Sequence, residues 1–105
     1  MTLHGIDLDS PAIRAFCRKW KIRELAVFGS ILRDDFRPDS DVDFLVTFEE
    51  GAKWDLFDRA DMEEELAAIV GRPVDFVDRS TIESSRNRFR KREILSTAER
   101  VLATG

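Results

Sequence analysis

Asp41 and Asp43 stand two residues apart in the run Asp41-Val42-Asp43-Phe44-Leu45-Val46. In extended chain that spacing puts both carboxylates on one face, about 6.5–7 Å apart at Cα. Aspartate is disfavoured in strands, and two like charges this close repel. A divalent cation between them would remove the conflict. Mg²⁺ takes one or two carboxylates and completes its shell with water and substrate phosphates, so the pair is half of such a site. Alone, an Asp-x-Asp is more often a solvent-facing strand end or turn.

Two further features lie beside it in character. Gly29-Ser30 directly follows the apolar run Leu25-Ala26-Val27-Phe28. Glycine lets a backbone approach a phosphate closely, and Ser30 with nearby N–H groups can hydrogen-bond its oxygens. Asp75 interrupts a second short apolar run, Val74-Asp75-Phe76-Val77, and alternates away from Val74 and Phe76. Separately these are a plain turn and an edge-strand carboxylate. Together, a phosphate-binding turn and three carboxylates describe phosphoryl-transfer machinery.

The elements that must position these residues follow from periodicity. Ser10-Pro11 reads as an N-cap with proline at the first helical position, and Ile13, Phe16, Cys17 and Trp20 then form one helical stripe. Cys17 on that stripe is a core thiol. Leu25–Phe28 reads as a buried strand ended by Gly29. Arg37-Pro38-Asp39-Ser40 has turn chemistry, and Val42–Phe48 is the best strand in the chain. The span 54–70 reads as a helix stopped by Gly71 and Pro73, and a third strand covers Val74–Val77. Ser80 and Glu83 resemble a capping box, so a helix is expected after them, weakened at its start by Ser84, Ser85 and Asn87. Ile94, Leu95, Val101 and Leu102 allow the tail to dock. His4 falls in an end expected to fray, with no catalytic role; Trp20 and Trp54 are expected in the core or at its rim. The order predicts an α+β or α/β domain, a three- or four-stranded mixed sheet with helices mainly on one face.

At 105 residues the chain suits one domain, spanning 1–105. Its 43% hydrophobic and 36% charged residues exclude a disordered chain. No apolar run approaches the ~20 residues of a membrane span, no secretion signal opens the chain, and the single cysteine suits a reducing cytoplasm. A net charge of −4 argues against generic adsorption to nucleic acid. The charge is uneven: residues 55–65 are acidic, and Arg86, Arg88, Arg90, Lys91 and Arg92 form a basic cluster. Both suit solvated helix faces or a docking surface.

Gly29-Ser30, ten residues, then Asp41-Val42-Asp43 resembles the motif of the polymerase-β nucleotidyltransferase superfamily. More closely, Phe28-Gly29-Ser30-x-x-Arg33, the run from Arg37 to Val46, and Gly71-Arg72-Pro73-Val74-Asp75-Phe76-Val77 are similar to the minimal nucleotidyltransferase (MNT) family. The resemblance covers Leu25 to the C-terminus. It implies two Mg²⁺ ions held by Asp41 and Asp43, with Asp75 sharing a metal and helping to activate an acceptor hydroxyl. It implies ATP as substrate, with Gly29, Ser30, Arg33 and Ser40 on the nucleotide. Family members are small cytoplasmic prokaryotic proteins, often paired with a HEPN-domain ribonuclease toxin that some of them inactivate by adenylylating a tyrosine. Asp34, followed by Asp35, stands where the family often has glycine after the motif arginine.

The resemblance therefore implies a protein adenylyltransferase acting as an antitoxin. Two alternatives stay open: a module that neutralises its partner by covering it, and transfer to RNA or a small molecule. The chain has no tyrosine, so it cannot modify itself at that residue type.

Overall fold

The computed structural model describes residues 2–103. A two-residue ribbon, β1 (Thr2–Leu3) and β2 (Ile6–Asp7), leads into α1 (Pro11–Lys19). Ser10 caps α1 by accepting the Ile13 N–H at 3.3 Å, and the Ile13, Phe16, Cys17, Trp20 stripe is buried. Next come β3 (Ile22–Phe28), a 3-10 turn (Gly29–Leu32), β4 (Val42–Phe48), α2 (Leu56–Val70) and β5 (Val74–Asp78). The chain ends with α3 (Arg79–Glu83), α4 (Arg88–Thr97) and β6 (Glu99–Ala103).

The four-stranded sheet has the order β5-β4-β3-β6. β3 pairs antiparallel with β4 and β6, and β4 pairs parallel with β5 through the α2 crossover. Alternation along the strands sends side chains to two apolar clusters. The larger unites Leu25, Val27, Val42, Phe44, Val46 and Val74 with Ile13, Phe16 and Cys17 of α1 and Met62 and Leu66 of α2. The smaller joins Ala26, Phe28 and Leu45 to Ile82 of α3 and Ile94 of α4. α1 and α2 thus cover one face of the mixed sheet and α3 and α4 the other. The helices are divided between the faces rather than set mainly on one, because the Asp43 face also carries apolar Ala26, Phe28 and Leu45 that must be covered.

Several boundaries differ from those predicted by periodicity. α2 starts at Leu56 because Asp55 and Asp58 cap each other's backbone N–H groups, at 2.8 and 3.1 Å, which leaves Trp54 outside. The helix expected after Ser80 is two helices. Asp78, not Ser80, is the first cap, and the Ser84 hydroxyl donates back to the Ser80 carbonyl at 2.9 Å, a local bond that competes with continuation. Asn87 then caps a fresh start by accepting the Arg90 N–H at 3.1 Å. The tail docks as an edge strand. His4 is not frayed: it sits in the turn of the N-terminal ribbon, donates from Nε2 to the Ile31 carbonyl at 3.0 Å and packs on Phe36.

Candidate active site

The register of three strands builds the site. Phe28 lies opposite Asp43, and Asp43 opposite Asp75, so the three form one row across the sheet. Adjacent strands are about 4.8 Å apart, which sets Asp43 beside Asp75 on the face that also carries Leu45 and Val77. That is the face covered by α3 and α4. Gly29 follows Phe28 at φ +74°, and a Cβ there would collide with the Asp43 carboxylate. Only glycine lets the turn lie this close. No side chain caps the amides of the 3-10 turn.

Asp41 is exposed, one residue before β4, and is delivered by the loop that precedes it. That loop is tethered at several points. Arg72 donates to the Arg37 carbonyl at 2.8 Å and stacks over Phe36, and the Ser40 hydroxyl accepts the Arg37 N–H at 3.1 Å. The Ser30 hydroxyl reaches the Asp41 carbonyl at 3.5 Å, which joins the glycine turn to the carboxylate motif.

Asp43 is the strained member of the set. Burial pushes its carboxyl up from the ordinary 3.8, the charges of Asp75 and Asp41 push the same way, and Arg33 and Arg90 oppose them. A cation beside this group would favour its charged form. The donors are all carboxylate oxygens, the type Mg²⁺ prefers. Among the described residues no group of three or more His, Cys, Asp and Glu side chains is set as a ready metal cage. The carboxylate oxygens fit a hard cation such as Mg²⁺, which takes one or two carboxylates and completes its shell with water and phosphate.

A cleft of about 460 Å³ opens over this row. Phe28, Gly29, Leu32 and Arg33 line one side, Asp43 and Asp75 the floor, and Arg90, Glu93, Ile94 and Thr97 of α4 the other side. The volume lies in the range of small-molecule sites. Of the residues singled out from the sequence, Gly29, Arg33, Asp43 and Asp75 line it. Ser30 and Asp41 adjoin it through their mutual bond, and Ser40 is engaged in the turn behind Asp41. The α4 wall was missed, although Arg90, Glu93, Ile94 and Thr97 recur at i, i+3, i+4, i+7.

The family model for the nucleotidyltransferase domain matches residues 11–101, a span that holds the whole row and both cleft walls. The chain belongs to the nucleotidyltransferase domain family. This nucleotidyltransferase-family chain is 39% identical over 96 residues to the protein adenylyltransferase MntA of Thermococcus cleftensis, covering 90% of this chain and 95% of that one. Its fold matches a toxin–antitoxin crystal structure with AMP-PNP at TM-score 0.68 and 21% identity, over 92% of this chain and 75% of the other. It also matches a structure of a tri-AMPylated HEPN toxin in complex with an MNT antitoxin from Shewanella oneidensis, at TM-score 0.58 and 21% identity, over 88% and 67% of the two chains. No helix among the described residues is long and apolar enough to cross a membrane.

Trp20 and Trp54 are structural. Trp20 donates from Nε1 to Glu65 at 3.2 Å, Trp54 donates to the Trp20 carbonyl at 3.1 Å, and the rings meet edge to face at 5.1 Å. Burial pushes the Cys17 thiol up to about 11, so it is not a nucleophile at neutral pH.

Proposed function

We propose that this protein is a single minimal nucleotidyltransferase domain that transfers AMP from ATP to a tyrosine hydroxyl of a cognate HEPN-domain toxin and so acts as its antitoxin. The observation that carries the reading is one cleft floored by Asp43 and Asp75, with Gly29 seated against the Asp43 carboxylate at its side and Asp41 adjoining it. The substrate class follows from the relative named a protein adenylyltransferase, which this chain matches over nearly its whole length.

In the proposed reaction the tyrosine oxygen attacks the α-phosphorus of ATP, its proton leaves to a carboxylate, and pyrophosphate departs. Asp41 and Asp43 would hold Mg²⁺, with Asp75 sharing it; bound metal would supply charge neutralisation at the α-phosphate. The other work belongs to the chain. The Gly29-Ser30 turn brings its amides up to the β- and γ-phosphates with no side chain in the way. Arg33 adds positive charge where pyrophosphate develops. Asp75, at the cleft floor, orients the acceptor hydroxyl and accepts its proton. Ser40 serves the nucleotide by fixing the turn that presents Asp41. Cytoplasmic residence suits both ATP as substrate and a cysteine with no disulfide partner in the chain.

Incubation of the HEPN toxin with this protein, Mg²⁺ and ATP labelled at the α-phosphate tests the reading. Label should move to the toxin and should not move when Asp41 and Asp43 are both Asn. Transfer to RNA or to a small molecule instead, with none to the toxin, would replace the proposed acceptor.

A further inference from the structure

The cleft floor already holds two carboxylates, and Glu93 adds a third at the wall. A nucleoside triphosphate brings several more negative charges to the same place. Two cations line the cleft, Arg33 and Arg90. The charge of Arg33 is shared, because its Nε lies 3.7 Å from Asp35. Arg90 makes no ion pair among the described residues, even with Glu93 three residues along its own helix. Its backbone is fixed, since its N–H is the one that Asn87 caps. The helix gains nothing from the side chain. A cation in a first turn opposes the helix macrodipole, and α4 has no acidic residue there to offset it. A guanidinium with no ion pair among the described residues, its charge felt by Asp43, is therefore held across the cleft from the glycine turn, at a local cost to its own helix.

We propose that Arg90 grips the β- and γ-phosphates of ATP from the α4 wall, opposite Gly29-Ser30. The proposal rests on the reading of this cleft as the nucleotide site and adds a residue to it. A guanidinium presents a planar fork that matches two phosphate oxygens at once, which an ammonium cannot do. Arg90 would then tell a triphosphate from a monophosphate, and α4 would be one jaw of the nucleotide site as well as a cover for the sheet.

Titration calorimetry of the whole chain with ATP and with AMP, both with Mg²⁺, tests this on the wild type, Arg90→Ala, Arg90→Lys and Arg88→Ala. Arg88 is the control, a neighbouring exposed arginine that does not line the cleft. Arg90→Ala should weaken ATP by about 10–100-fold, the scale of a lost charge-assisted contact. AMP affinity should stay unchanged, Arg90→Lys should recover part of the loss, and Arg88→Ala should bind as wild type. A melting temperature that does not fall in Arg90→Ala would separate lost contact from lost fold. ATP binding that is unaffected by Arg90→Ala, or reduced equally for AMP or by Arg88→Ala, overturns the assignment of Arg90 alone. A wild type that binds no ATP overturns the nucleotide reading and Arg90 with it. Neither result depends on which molecule accepts the nucleotide.

Discussion

Replacing Gly29 with alanine should act through two separable effects. The first is conformational: at φ +74° an L-residue costs about 1–2 kcal/mol. The second is steric, because the new Cβ meets the Asp43 carboxylate at a separation no real Cβ adopts. Overpacking of this kind costs about 1–3 kcal/mol. Gly71 isolates the first effect. It has the same φ of +74°, but nothing lies within 4 Å of a Cβ built there. Gly71→Ala should therefore cost about 1–2 kcal/mol and Gly29→Ala about 2–5 kcal/mol. In a domain this size each kcal/mol moves the melting temperature by about 4–8 °C. Asp43→Ala should rescue the difference. Truncation removes the colliding atoms and leaves the Asp43 Cβ at 3.7 Å, an ordinary contact. Urea unfolding of Gly29→Ala, Asp43→Ala and the double variant closes a mutant cycle whose coupling energy should be about 1–3 kcal/mol in the relieving direction. Equal losses for Gly29→Ala and Gly71→Ala, with no coupling to Asp43, would refute the close seating of the turn on the carboxylate.

Two carboxylates should respond to pH with opposite signs. Asp43 has a raised pKa, so its contribution is most favourable below 3.8 and is lost as pH rises through the folded value. Without metal, Asp43→Asn should be more stable than wild type at pH 7, and the gain should vanish in acid below 3.8. Burial pushes Asp78 up as well, but hydrogen bonds from Ser80 and from Arg59, the latter at 2.7 Å, outweigh it and hold the carboxyl below its ordinary value. Asp78→Asn should therefore lose stability at pH 7, with the difference disappearing as pH falls through the folded value. Chemical denaturation across pH reads both, and a shared sign would contradict the assigned environments. Cys17, with a thiol at about 11 and a buried side chain, should resist alkylation at pH 7 until the protein unfolds. Rapid labelling of the native protein would show that the α1 stripe is not closed.

Periodicity locates most of this fold because the informative residues lie in single elements. The α1 stripe from Ile13 to Trp20 is legible from helical spacing, Leu25–Phe28 from its apolar run, and Val42–Phe48 and Val74–Val77 from alternation, although β3 begins earlier, at Ile22, and β5 runs on to Asp78. Much of the site is legible for the same reason: Asp43 and Asp75 break the pattern of the strands that carry them, and Gly29 ends the strand before it. What the sequence hides depends on pairing. β6 is short and half polar, and only its register against β3 makes Glu99–Ala103 a strand. The split between α3 and α4 turns on which of Asp78, Ser80 and Asn87 wins a capping bond. The α4 cleft wall needs the fact that Asp43 and Asp75 share a face with Leu45 and Val77, because only then must a helix cover the row. Ser40 depends on its loop in the same way: its hydroxyl accepts the Arg37 N–H and so fixes the turn that presents Asp41.

Under the proposed function this chain silences its partner by chemistry rather than by coverage. Intact-mass spectrometry of the HEPN toxin, recovered from cells that also carry this protein at matched expression, tests it most directly. With the wild type, the toxin should gain the mass of one or more AMP units on tyrosine, and growth should recover. With Asp41 and Asp43 both replaced by Asn, the mass gain and the recovery should both disappear, even where the complex still forms. Full recovery of growth by the double variant, with the toxin at its unmodified mass, would contradict the account and leave binding as the whole of the function.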